Sequence, residues 1–132
     1  MARVVLDASV LIGFLYEGDE HHDRCRAALQ TPEIVEAEWV VPATTCAEVL
    51  VGAYRGSEDF GAMIERFFEE GVERIEPITH NTAQTAARMR ARSRRLSLAD
   101  ALVLATAQAV DADLVITADR DWSRLNDRVR VV

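Results

Sequence analysis

Apolar positions along this chain fall into short dense runs separated by longer stretches in which they recur every three or four residues. The dense runs, Arg3-Val4-Val5-Leu6, Trp39-Val40-Val41, Val72 to Ile75 and Leu114-Val115-Ile116, predict short strands, and those that stay apolar throughout predict burial on both faces. Pro42 stops the second run, and a last strand is expected over Val129 to Val132. The longer stretches predict helices. One is capped by Asp7 or Ser9 and runs through Tyr16; another spans 19–30, with Leu29 and paired alanines turned inward. A third runs from about Pro42 to Tyr54. A fourth, 58–70, sets Phe60, Met63, Ile64, Phe67 and Phe68 on one side and Glu65, Arg66, Glu69 and Glu70 on the other, and Gly71 ends it. Two more are expected, 80–95 and Leu98 to Val110, followed by a turn over 117–121 and a brief helical turn near Trp122.

Strands alternating with helices predict an α/β fold, a central parallel sheet of four to five short strands covered by helices on both faces. The chain shows no repeat, low-complexity tract or linker, and 132 residues suit one core of the common size, roughly 100–150 residues. In such sheets the site lies outside the carboxyl ends of the strands, where strand order reverses. Asp7 and Asp119 each follow a strand.

Composition then narrows the chemistry. All 15 basic residues are arginine, so a P-loop lysine, a Schiff base and a lysine general base are excluded. A net charge of −7 argues against a generic polyanion binder. The balance is uneven, however: residues 17–76 carry fifteen acids against five bases, and residues 77–132 six against nine. Cys25 and Cys46 are isolated, which fits a reduced, cytoplasmic setting, and no run approaches the roughly 20 apolar residues of a membrane span.

Four carboxylates stand in apolar or small-residue contexts: Asp7, Glu48 in Thr45-Cys46-Ala47-Glu48-Val49-Leu50, Asp100 in Leu98-Ala99-Asp100-Ala101-Leu102, and Asp119. Desolvating an unpaired carboxylate costs several kcal/mol, so a shared cation is the economical explanation. Capping is the bland one. Asp7 suits an N-cap, Ser97-Leu98-Ala99-Asp100 fits a capping box, and Asp119 or Asp121 can cap the turn at Trp122. Glu48 has no such role available, and Arg55 is the only base between residues 27 and 65. An all-oxygen cluster suits Mg²⁺ or Mn²⁺ rather than zinc, and such sites perform phosphoryl-type chemistry with one or two ions that acidify water and steady the leaving oxygen. Bound metal also lets an acidic pocket accept a phosphate.

Asp7-Ala8-Ser9-Val10-Leu11-Ile12, Glu48, the Leu98-Ala99-Asp100-Ala101 helix start and Ile116-Thr117-Ala118-Asp119 together resemble the PIN-domain ribonucleases, most closely the VapC-type toxins of bacterial toxin–antitoxin pairs. The resemblance spans the whole chain and implies a single PIN-like nuclease domain over 1–132. It implies a divalent-metal-dependent endoribonuclease acting on RNA, restrained by a cognate small antitoxin and dimeric. By position, Asp7, Glu48, Asp100 and Asp119 match the family's acidic quartet, as catalytic residues and as metal ligands. Thr117 matches its hydroxyl near the last acid, Ser9 supports the first acid in the same way, and Asp121 stands as a supporting residue, a ligand through water or a cap.

Arg88, Arg90, Arg92, Arg94 and Arg95 lie within eight residues just before Asp100, and Arg88, Arg92 and Arg95 are candidate RNA contacts, weighed against a solvated helix end. His21, His22 and Cys25 have loose zinc-ligand spacing with too few further ligands. The Phe60 to Phe68 stripe reads as core, with a groove for an antitoxin helix as the alternative. Aspartyl phosphatases and receiver domains share a strand-end aspartate but need a lysine that this chain lacks. A non-cleaving RNA- or protein-binding module is the remaining rival, which metal-dependent substrate loss would exclude.

Overall fold

A computed structural model describes residues 1–125 and 127–132, leaving aside the side chains of 123 and 124. Five strands, β1 (Arg3–Leu6), β2 (Glu38–Pro42), β3 (Arg74–Glu76), β4 (Leu114–Thr117) and β5 (Val129–Val131), form one sheet in the order β3-β2-β1-β4-β5. Every pairing is parallel. The helices are α1 (Ala8–Leu15), α2 (His22–Leu29), α3 (Pro32–Val35), α4 (Ala43–Gly56), α5 (Glu58–Glu70), α6 (His80–Arg92) and α7 (Leu98–Ala109), and a 3-10 turn spans Arg120–Arg124.

Alternate residues of the strands enter two cores. Val4, Leu6 and Val41 pack with α1, α2, α4 and α5, while Val5, Val40 and Val115 pack with α6 and α7. This is why β1, β2 and β4 are apolar at consecutive positions rather than at every second one. Val4, Val5 and Leu6 are wholly buried. Each contributes roughly 1.5–3 kcal/mol, which together offsets the several kcal/mol that desolvating the next residue, Asp7, costs. The chain lays β1, β2 and β3 to one side and then returns to place β4 on the other side of β1. Strand order therefore reverses between β1 and β4, and their carboxyl ends deliver Asp7 and Asp119 to that point.

The structure departs from the sequence expectations at four places. The helix expected over 80–95 ends at Arg92, because Ser93 takes an extended conformation and the buried Leu96 draws the chain back to the core; Arg94 and Arg95 lie in the turn that follows. In α2 the inward residues are Cys25 and Leu29, one turn apart, and Ala27 faces outward. The α3 turn, opened by Pro32 and anchored by the buried Ile34, was not anticipated. The third strand also starts at Arg74 rather than Val72, whose side chain joins the core instead. Among the described residues no helix is long and apolar enough to cross a membrane.

Candidate active site

Asp7 occupies the N-cap position of α1, yet its side chain makes no cap bond there. The Ser9 hydroxyl donates to Asp7 Oδ2 at 2.7 Å and the Thr117 hydroxyl donates to the same oxygen at 2.8 Å. Each hydroxyl has a single proton, so the 3.1 Å approach of these two groups to one another is a contact and not a third hydrogen bond. Both then accept from the chain beyond β4: the Ala118 N–H donates to Ser9 Oγ and the Asp119 N–H to Thr117 Oγ1, each at 3.0 Å. Ser9 and Thr117 thus tie the two strand ends together and hold one oxygen of Asp7. The other oxygen, Oδ1, receives no donor among the described residues. Asp7 is only 8% exposed, so two hydroxyl donors are its compensation for burial.

Asp100 sits in the first turn of α7, where Ser97 caps the helix by accepting from the Asp100 N–H at 3.1 Å. Ser97 therefore caps the helix as expected, and the Asp100 carboxyl is not shown closing the box on the Ser97 N–H. Burial pushes that carboxyl up from the usual range, Asp7 and Asp119 push it further, and hydrogen bonding with the Ser97 and Trp122 side chains pulls against them. Asp119 does cap the turn: its Oδ1 accepts from the Asp121 N–H at 2.9 Å. Glu48 lies on the outer part of the group and is the most exposed of the four. Its carboxyl is nevertheless raised, first by partial desolvation and then by the charges of Asp7 and Asp100. The tug of these charges on one another identifies a single group, although Glu48 and Asp119 come from elements 71 residues apart in sequence.

The helix bearing Glu48 is braced against α1. The Tyr16 hydroxyl donates to the Val49 carbonyl, directly after Glu48. Gly52 permits this, since a Cβ there would come within 2.6 Å of the Tyr16 oxygen. Asp7 at one end of α1 and Glu48 on α4 are therefore indexed to the same helix.

None of the four carboxylates forms an ion pair among the described residues. Burial and the neighbouring carboxylates push Glu48 and Asp100 up from the usual range. Among the described residues no three acids, histidines or cysteines converge closely enough to cage a metal ion directly. The donor set, all oxygen and collectively under-neutralised, suits a hydrated Mg²⁺ or Mn²⁺, which keeps several of its waters and is reached through them. Zinc at His21, His22 and Cys25 is not supported: Cys25 is wholly buried, and His22 Nδ1 is engaged with the Gly13 carbonyl at 2.8 Å.

A cavity of about 550 Å³ opens beside the carboxylates, and Arg95, Asp100, Asp119 and Asp121 line it. Of the candidate RNA contacts, Arg95 therefore reaches the site, while Arg88 and Arg92 stand exposed on α6 away from that lining. The Phe60 to Phe68 stripe is divided: Ile64 and Phe68 are buried, Phe60 and Phe67 pack against the core, and Met63 is 56% exposed. Sequence reading missed Leu96, Trp122 and Leu125 as walls of the cavity. A signal existed, since an aromatic residue directly after Asp119-Arg120-Asp121 has to bury itself somewhere beside them.

The PIN domain family model matches residues 4–128. No curated protein matches the chain. Among solved structures, VapC20 of Mycobacterium tuberculosis, a sarcin–ricin loop cleaving toxin, superposes with a TM-score of 0.77 at 17% identity, over 93% of this chain and 95% of that one. A toxin–antitoxin complex from Klebsiella pneumoniae gives 0.72 at 24% identity, covering 97% of this chain and 96% of the other. DNA-bound VapBC from Salmonella typhimurium gives 0.67 at 18% identity, over 100% and 98%. At such identities the likeness speaks for the fold, which is the fold that the strand order and its reversal point had already described. Over nearly its whole length, this chain belongs to the PIN domain family.

Proposed function

We propose that this chain is a divalent-metal-dependent endoribonuclease and the toxin of a toxin–antitoxin pair, with Asp7, Glu48, Asp100 and Asp119 holding Mg²⁺ or Mn²⁺. The observation that carries the reading is the group of four carboxylates at the reversal point of the sheet, which form no ion pair among the described residues while two of them are raised by burial and by their neighbours. A bound ion would neutralise that charge, admit a phosphodiester and acidify a water. The chain's own part is positional. Ser9 and Thr117 fix one oxygen of Asp7 and leave the other without a donor among the described residues, Asp119 is tied to Thr117 through its own N–H, and the Tyr16 brace sets the height of Glu48. Asp121 acts beside them as a supporting group.

A small antitoxin as partner is supported by structural neighbours that are themselves toxin–antitoxin complexes, some of them on DNA. A homodimer over 1–132 and a cytoplasmic setting complete the proposal. The decisive experiment incubates purified protein, freed of any bound partner, with total RNA with and without Mg²⁺ or Mn²⁺ and maps the new ends. Discrete, metal-dependent ends are expected, and they are lost in Asp7→Asn. Binding of RNA with no metal-dependent loss of substrate would leave a non-cleaving module in its place.

A further inference from the structure

We infer that the cavity beside the carboxylates seats one unstacked nucleobase, from a nucleotide flanking the bond to be cut, and that Arg95, Asp121 and Leu125 select it as guanine; this rests on the ribonuclease reading above. The cavity's 550 Å³ falls in the range of small-molecule sites, roughly 300–1,000 Å³, and exceeds what a hydrated ion needs. Its lining is two-sided in chemistry. Three carboxylates, Ser93 and Arg95 make one part of it polar, and Leu96 and Trp122, both buried, with Leu125, 42% exposed, give it an apolar wall. A sugar–phosphate backbone gains nothing from that apolar wall, whereas the flat face of an unstacked base does.

The charged groups narrow the choice. Arg95 and Asp121 line the same cavity with opposite charges, yet neither side chain makes a hydrogen bond or ion pair among the described residues. A ligand with acceptors on one edge and donors on another satisfies both. Guanine alone among the RNA bases separates them so, with O6 and N7 for a guanidinium fork and N1–H and the N2 amino group for a carboxylate. A base can enter such a cavity only when it is out of a duplex stack, so the segment being read is single-stranded.

The test uses single-stranded oligonucleotides with one cleavage position, carrying each base in turn, or an abasic nucleotide, on either side of it. Guanine at one flanking position is expected to raise kcat/KM by about tenfold or more over the other bases and over the abasic form. Arg95→Ala and Leu125→Ala are each expected to collapse that preference, losing far more on the guanine substrate than on the abasic one. Fluorescence anisotropy of the same oligonucleotides on Asp7→Asn protein with a normal melting curve, and on wild-type protein in EDTA, reads binding apart from cutting. Equal binding and equal kcat/KM for guanine and abasic RNA would overturn the inference and leave the ribonuclease reading standing. Abasic-sensitive binding with no metal-dependent cleavage would sink that reading and keep the base site. If Leu125→Ala left RNA binding intact and instead weakened a polypeptide partner, the cavity would belong to the protein and the inference would fall.

Discussion

Glu38 and Glu48 are the same side chain ten positions apart, and they meet opposite surroundings. Glu38, where β2 begins, has Arg3 at 3.3 Å and Arg74 at 3.7 Å, and Arg74 also reaches Glu76 at 2.8 Å. Glu48, past the other end of β2, has Asp7 and Asp100 for electrostatic neighbours and no arginine paired with it among the described residues. One end of the sheet carries a neutralised lattice that ties β1, β2 and β3 together, and the other carries concentrated negative charge. Fifteen arginines were available to this chain, so the imbalance is one of placement rather than supply. Charge that is stabilised locally serves the fold, and charge left unstabilised is available to a ligand.

The largest effect that tests this contrast is on catalysis. Asp7→Asn keeps an oxygen for Ser9 and Thr117 but removes the charge, and is expected to lower RNA cleavage by at least about 10²-fold, with the melting temperature unchanged or raised. A variant that cut at the wild-type rate would remove Asp7 from the site. Next is the metal itself: Mg²⁺ or Mn²⁺ at about 100 times its Kd should stabilise wild-type protein by roughly 2.7 kcal/mol, read as a rise in melting temperature, and do little for Asp7→Asn. An equal rise in both proteins would mean the ion binds elsewhere.

Thr117→Val and Ser9→Ala test positioning, since each removes one donor to Asp7 Oδ2 without touching charge. A loss of about tenfold in metal affinity, measured by titration calorimetry, is expected for either. A smaller effect is on pH dependence in metal-free protein. Glu48 and Asp100 have folded pKa values above their unfolded ones, so the folded state holds more protons between the two and stability falls as pH rises through that interval. Glu48→Gln should flatten that part of the pH–melting curve, and an unaltered slope would deny the mutual repulsion. Smallest is the neutral end: Glu38→Gln is expected to cost about 1 kcal/mol of stability by denaturant melting while leaving cleavage alone, because its partners are part-exposed.

The strands β1, β2 and β4 and most helices were legible because their apolar residues face the cores and so leave a dense signal at short range, whereas β3 and β5 are part-exposed and leave a thinner one. Where the outcome depended on tertiary pull, the sequence was silent: nothing local to 80–95 says that Leu96 will be buried and end α6 early. The four acids were legible through the oddness of their contexts. Their division of labour was not, since Asp7 lies at a cap position without capping, while Asp119 caps and still faces Asp100. Ser9 was marked as a support for the first acid, but its second link, to Ala118 across 109 positions, exists only once the sheet has closed.

The place of β1 at the middle of the sheet has a consequence in time. Its flanking strands are β2 and β4, and the second of these begins only at Leu114. A ribosome making this chain must pass Asp119 before the first strand gains its second neighbour and Asp7 meets Thr117. Every shorter nascent chain carries the early carboxylates without the frame that aligns them. Under the proposed function, a growing copy is harmless to the RNA around it until synthesis has run past nine-tenths of these 132 residues, an interval in which a restraining partner can already be at hand.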